Sequence, residues 1–157
     1  IVADLCDWRL RRALALGADD AVNVGRGGLA EQVAELTGGR LAERVVVGPA
    51  STRAMAEGLR ACAPGGTVLF FSPSPPGEIL EVEPHYLYFN EIGIVCSYSC
   101  GPYDTRAALD LIARGTVRAA DLVSHRFPLI RAAEAFRLTA AGGESLKALV
   151  MLEDYDE

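Results

Sequence analysis

Zinc-ligand spacing is absent from this sequence. Its four cysteines, Cys6, Cys62, Cys96 and Cys100, form no C-x-x-C pair, and its two histidines, His85 and His125, stand far from them. Cys96 and Cys100 are four apart, but the residues between them read as a strand leaving for a loop. Free thiols in a reducing cytoplasm fit them better than a disulfide or a metal. A basic face is missing as well: 15 Lys and Arg stand against 21 Asp and Glu, a net charge of -6. That balance argues against nucleic acid as a partner, because binding a phosphate backbone needs a basic stripe. The longest nearly uncharged apolar run, Ile92 to Cys100, is less than half of the roughly 20 residues that span a bilayer. No basic segment leads into an apolar one at the N-terminus. No membrane partner is expected, and the chain reads as soluble, unexported and cytoplasmic. It has no internal repeat, no long linker and no initiating Met: it begins Ile1-Val2-Ala3-Asp4, as though already inside a strand.

What is present suits one sizeable core: 157 residues, 50% hydrophobic and 23% charged. Strand and helix signals alternate along them. Ile1 to Leu5 is a short apolar run, and Asp7 stands at an N-cap position ahead of Leu10, Ala13 and Leu14 at helical spacing, with Gly17 as the stop. Ala21 to Val24 is a second strand, and Gly25 to Gly28 lead into a helix with Leu29, Val33 and Leu36 on its apolar face. Arg44 to Val47, with three consecutive valines, predicts a strand buried on both faces. Ser51 or Thr52 caps a helix carrying Met55, Leu59 and Cys62, which Pro64-Gly65-Gly66 ends before a strand from Thr67 to Ser72. Pro73 to Gly77 break the rhythm. A short aromatic segment, His85 to Phe89, and a strand from Ile92 to Tyr98 follow. Pro102 and Asp104 open a helix with Ala108, Leu109 and Ile112 inward and Gly115 at its end. An extended stretch near Leu122 to Phe127, a helix from Ile130 to Ala140 and a strand from Leu146 to Leu152 complete the pattern. Residues 1–152 form the domain, and 153–157 an acidic tail. Strands joined by crossover helices predict an α/β fold, a doubly wound parallel sheet, with ligands at the carboxyl ends of its strands.

Two features compete for a nucleotide. Asp4 ends an apolar strand, with Arg9 five positions on. A carboxylate there accepts hydrogen bonds from the two hydroxyls of an adenosine ribose and repels a 2′-phosphate, favouring NAD over NADP. Taken in isolation, Asp4 reads more readily as a strand-end residue that turns the chain. Gly25-Arg26-Gly27-Gly28-Leu29-Ala30 satisfies G-x-G-x-x-A between a strand and a helix. The next strand should then end in an acidic residue, yet it ends Val47-Gly48-Pro49, so the glycine cluster reads as an ordinary turn.

A set of short motifs recurs in order along the chain: Asp4-Leu5 with Arg9-Leu10, Leu16-Gly17-Ala18-Asp19, Leu36-Thr37-Gly38-Gly39-Arg40, Pro64-Gly65-Gly66-Thr67-Val68, Ser97-Tyr98-Ser99 and Leu146-Lys147. In that order and spacing the chain resembles the C-terminal, nucleotide-binding part of a zinc-type medium-chain dehydrogenase of the sorbitol and threonine dehydrogenase kind, starting at the second Rossmann strand. The resemblance implies cofactor contacts: Asp4 and Arg9 at the adenosine ribose, Gly48 where the backbone runs close to the adenosine half, Ser72 near the nicotinamide, Cys96, Ser97 and Tyr98 at its carboxamide, and Lys147 near the pyrophosphate. Relatives often carry glycine where Ser72 stands, and Lys147 is also explicable as a solvated charge flanking a strand. Also implied are hydride transfer between a secondary alcohol and nicotinamide, catalytic zinc held by an N-terminal domain, and a homodimer or homotetramer paired through the strand at Ile92. No catalytic residue and no metal ligand is implied within these residues, and these residues alone are expected to be inactive. A zinc-free quinone or enoyl reductase, a non-catalytic nucleotide-binding or oligomerisation module, and a methyltransferase are the alternatives.

In the strand order 3-2-1-4-5-6 the first strand, with its glycine-rich loop, is the one lacking here, and it lies between the strands at Ile1 and Arg44. At about 4.8 Å per strand spacing, the sheet is expected to carry a slot roughly 10 Å wide. Unpaired buried peptide groups cost on the order of 1 to 3 kcal/mol each, so several would exceed a stability margin of about 5 to 15 kcal/mol. These residues alone are therefore expected to fold poorly, to rearrange, or to be a piece of a longer polypeptide.

Overall fold

The computed structural model describes residues 1–152, and the acidic tail expected at 153–157 lies outside them. The chain divides into two compact units, one made of Ile1–Leu5 with Asp20–Ser99, the other of Cys6–Asp19 with the chain from Cys100 onward.

In the first unit every strand pairing is parallel. β1 (Val2–Asp4) lies beside β2 (Ala21–Asn23), with Asp4 opposite Asn23. A second ladder has the order β3 (Ala42–Val47), β4 (Cys62–Phe70), β5 (Gly93–Cys96). Parallel neighbours need crossovers. α3 (Thr52–Arg60) supplies one between β3 and β4, and α4 (Pro84–Phe89) one between β4 and β5. Ser51 caps α3, its side chain accepting from Ala54 N at 3.4 Å. The core gathers Val47, Met55, Leu59, Cys62, Val68 and Ile92, with Val45, Phe70, Leu80, Tyr86 and Leu87 packed against it. Gly58 lets α3 approach β3: a Cβ there would sit 2.6 Å from Val47 Cγ2 and 3.4 Å from Val45 Cγ1. α2 (Leu29–Thr37) packs against α3 and buries Val33, while Leu36 is 46% exposed.

Among the described residues no ladder joins β1 to β3. The fold is thus a doubly wound, Rossmann-like α/β sheet interrupted where its first strand would stand. The β1 edge of the break is not buried, which lowers the expected penalty on that side: Ile1 is 48% exposed and Val2 38%. The cost there falls on apolar side chains left in water rather than on buried orphan peptide groups. The valine strand is corrected likewise. Val45 and Val47 face the core, but Val46, on the alternate face, is 66% exposed.

Pro64-Gly65-Gly66 does not end the helix before it. α3 stops at Arg60, and these residues form an irregularity inside β4, where Ala42 pairs with Cys62 but Arg44 pairs with Thr67. Gly66 is required there, since a Cβ would meet Cys62 Sγ at 2.5 Å and Ala63 O at 2.7 Å. Cys62 accordingly belongs to the strand and not to the helix face. β4 ends at Phe70, two residues short of expectation, and β5 covers Gly93–Cys96 rather than Ile92 to Tyr98.

The second unit contains α1 (Asp7–Ala15), α5 (Pro102–Ala113), β6 (Val123–Pro128), α6 (Ala132–Ala141) and β7 (Lys147–Met151), with short 3-10 turns before and after β6. β6 and β7 are parallel. Ser124 ties them together, its hydroxyl accepting from Leu146 N at 3.0 Å and donating to Lys147 O at 3.2 Å. Arg12 on α1 donates to Asp121 O at 2.8 Å. Cys6, not Asp7, occupies the N-cap of α1, and Asp7 lies in the first turn, where its charge suits the helix dipole. α5 buries no residue: Leu109 is 66% exposed and Ile112 46%, so the stripe expected to face inward is uncovered.

Candidate functional site

The carboxyl ends of β3, β4 and β5 lie level. Val47 pairs with Phe70 and Phe70 with Cys96. The ladder continues one bond further, Phe71 N donating to Val47 O at 3.0 Å and Ser97 N to Phe70 O at 3.2 Å. Gly48, Ser72, Ser97 and Tyr98 therefore follow one another along one sheet edge, where parallel α/β folds bind ligands. Ser72 is half-buried, while Gly48, Ser97 and Tyr98 are exposed. Among the described residues nothing accounts for glycine at 48: its φ is not positive, and a Cβ there would meet no atom within 4 Å.

In the same unit the half-buried Asp4 ends β1, and Val24 N donates to Asp4 O at 3.2 Å. The turn beside it is built by Asn23, which sequence reasoning passed over. Asn23 Nδ2 donates to Leu5 O at 3.1 Å, and its Oδ1 accepts from Gly25 N at 2.8 Å. An Asn directly after an apolar strand and two residues before a glycine is an Asx-turn signal that was available. The glycine cluster is held by Gln32, whose Nε2 donates to Asn23 O at 3.1 Å and to Gly27 O at 3.0 Å. Where a fingerprint loop would present free amides to a pyrophosphate, Leu29 N donates to Glu57 Oε2 at 3.4 Å. The Glu31 carboxylate, in turn, lies where a side chain on Gly28 would go. Two carboxylates at a helix start repel an anion, so the cluster is an ordinary turn.

In the second unit Arg9 lies in the first turns of α1, and its Nε donates to Ser145 O at 3.0 Å. That bond brings Arg9 within two residues of the exposed Lys147, at the start of β7. Asp4, Gly48, Ser72, Ser97 and Tyr98 thus belong to one unit, and Arg9 with Lys147 to the other. A depression of about 640 Å³ lined by Thr37, Arg40, Leu41, Glu43 and Arg44 lies at the opposite, amino end of β3 and does not include any of these residues.

The residues present do not fit zinc. Among the described residues no group of three or more His, Cys, Asp and Glu could hold a metal ion. His85 packs on Phe89 at a centroid distance of 4.6 Å, and His125 pairs its Nδ1 with Ser124 Oγ at 3.0 Å. All four cysteines are free. Cys62 is buried, and desolvation pushes its thiol pKa up against an opposing pull from Arg44. At neutral pH, alkylation with iodoacetamide is expected to label the exposed Cys96 and Cys100 and to spare Cys62 until the protein is denatured. Peptide mass mapping reads this, and labelling of native Cys62 at the rate of Cys96 would contradict it. Among the described residues, no helix is long and apolar enough to cross a membrane.

A family model described as zinc-binding dehydrogenase matches residues 1–114. Mouse sorbitol dehydrogenase is 29% identical over 162 residues, covering 100% of this chain and 43% of that protein. An erythritol/L-threitol dehydrogenase of Mycolicibacterium smegmatis is 26% identical over 147 residues, covering 94% of this chain and 40% of that one. Among solved structures, a protein of Sinorhizobium meliloti 1021 bound to NADP superimposes with a TM-score of 0.86 at 26% identity, over 95% of this chain and 44% of that one. An alcohol dehydrogenase of E. coli CFT073 complexed with NADH gives 0.84 at 23%, over 96% and 44%. The chain spans less than half the length of each of these.

Proposed function

Since the chain belongs to the zinc-binding dehydrogenase family, we propose that it is the NAD-binding part of an alcohol or polyol dehydrogenase. The observation that carries this reading is Gly48: a glycine with no conformational or steric reason of its own, on the sheet edge where such folds bind ligands. A glycine there leaves the backbone open to close approach by the adenosine half of a dinucleotide. Asp4, set beside the turn that Asn23 builds, is assigned to the ribose hydroxyls, and Arg9 to an adenosine ribose contact. Ser72 lies by the nicotinamide, the backbone at Cys96, Ser97 and Tyr98 meets the carboxamide, and Lys147 neutralises the pyrophosphate. When bound, the nicotinamide ring supplies the hydride acceptor or donor; these residues bind and orient it. Substrate contacts and zinc are assigned to residues outside this chain, and the complete protein is a homodimer or homotetramer joined at the open edge of β5, in a reducing cytoplasm.

The test is Asp4→Ala in the complete protein, with NAD and NADP affinities measured side by side. A hydrogen bond to a charged acceptor is worth about 1.5 to 3 kcal/mol, so NAD binding is expected to weaken roughly tenfold or more, and NADP binding to weaken less or improve. An unchanged NAD to NADP ratio would remove Asp4 from the ribose site. Loss of all binding on Gly27→Val, with Asp4→Ala silent, would restore the glycine-cluster frame.

A further inference from the structure

Arg9 and Ser145 are 136 positions apart, yet Arg9 Nε donates to Ser145 O at 3.0 Å. The acceptor sits in a tight turn. Gly142 closes α6 at φ 71° and ψ -135°, Gly143 follows at φ 74°, and Ser145 N donates back to Gly143 O at 2.8 Å. Ser145 is a polar residue only 4% exposed, and Lys147 begins β7 two positions on. A Cβ on Gly142 would lie 3.7 Å from Arg9 Nη2, an ordinary contact. Space therefore does not demand glycine at 142. The backbone does, because residues with side chains rarely adopt that φ and ψ. A glycine-dependent turn thus delivers a carbonyl to one nitrogen of one arginine, beside the start of the strand that carries Lys147.

We propose that the Gly142–Ser145 turn is a positioning element for the adenosine diphosphate half of the dinucleotide. It holds the Arg9 guanidinium by Nε and, through the two-residue step to Lys147, sets both cations on one nucleoside diphosphate. This deepens the cofactor reading above and rests on it. A guanidinium fixed before binding loses less freedom on meeting its ligand, so the turn acts on affinity through Arg9.

The test is a double-mutant cycle in the complete protein, with ADP-ribose and nicotinamide mononucleotide as probes in calorimetry. Gly142→Ala is expected to weaken ADP-ribose about tenfold while leaving the mononucleotide within about twofold. In an Arg9→Ala background the same change should cost less than about twofold, because the residue it acts through is gone. Equal losses in both backgrounds, or no loss in the first, would overturn the proposal while leaving the cofactor reading intact. If Arg9→Ala alone leaves ADP-ribose binding unchanged, Arg9 is not a cofactor contact and the proposal falls with that assignment; the Asp4→Ala comparison then judges the cofactor reading independently. Should Gly142→Ala not fold, as judged by circular dichroism, Arg9→Lys decides. It keeps the charge but lacks Nε, and is expected to bind ADP-ribose nearly as weakly as Arg9→Ala. Binding equal to the unsubstituted protein would overturn the proposal.

Discussion

Gly58→Val in the complete protein is expected to lower stability by about 1 to 3 kcal/mol. Replacing a helical glycine normally helps, by up to about 1 kcal/mol for alanine and less for valine. Here the first added atom would already stand 2.6 Å from Val47 Cγ2, and Val47 is a 4% exposed member of the core. Val47 cannot swing away, because its side chain is short and branched and its strand is pinned by β4. α3 must therefore move off β3, loosening Met55 and Leu59, which pack on the same cluster. Overpacking of this kind costs about 1 to 3 kcal/mol or more and outweighs the helical gain. Urea unfolding reads the effect as a lower midpoint with an unchanged slope, and a Gly58→Val protein as stable as its parent would show that α3 does not lie against β3 as described.

A polypeptide of only these 157 residues is expected to bind the dye ANS, to self-associate on a sizing column and to melt without one sharp transition. Val46 is 66% exposed, Leu109 66%, Phe136 74% and Ile130 91%. Burying a side chain of this kind fully is worth about 1.5 to 3 kcal/mol. Four left mostly in water forgo roughly 4 to 9 kcal/mol, comparable with a whole domain margin of about 5 to 15 kcal/mol. β1 and β3 each end a ladder and so add an unladdered edge to this apolar surface, and such edges recruit other chains. A monomer with a single cooperative melt and no dye binding would refute the expectation.

The alternation of strand and helix was legible because it rests on local periodicity: every expected element exists, displaced by a few residues at its ends. Burial was less legible. The valine run predicted two covered faces, but whether a face is covered depends on what lies beyond it, and Val46 has no such cover. The same limit applies to α5, whose apolar spacing is real although Leu109 and Ile112 face water. Pro64-Gly65-Gly66 misled because proline and glycine punctuate a helix end and a strand irregularity alike, and only the pairing of Cys62 with Ala42 separates the two. At the candidate site, the strand-end positions of Asp4 and Gly48 followed from the pattern. The parts played by Glu57 and Ser145 did not, since their hydrogen bonds reach 28 and 136 positions along the chain.

The bond between Arg9 and Ser145 also orders events in time. During synthesis α1 leaves the ribosome long before its acceptor exists, so it must wait without this bond until the chain has been made through Ser145. Contacts of such high sequence separation slow folding, and the ordering entropy of the intervening loop is met before the contact forms. Residues 6–19 are thus made well before the turn that fastens them, and through that interval α1 is open to chaperones and proteases.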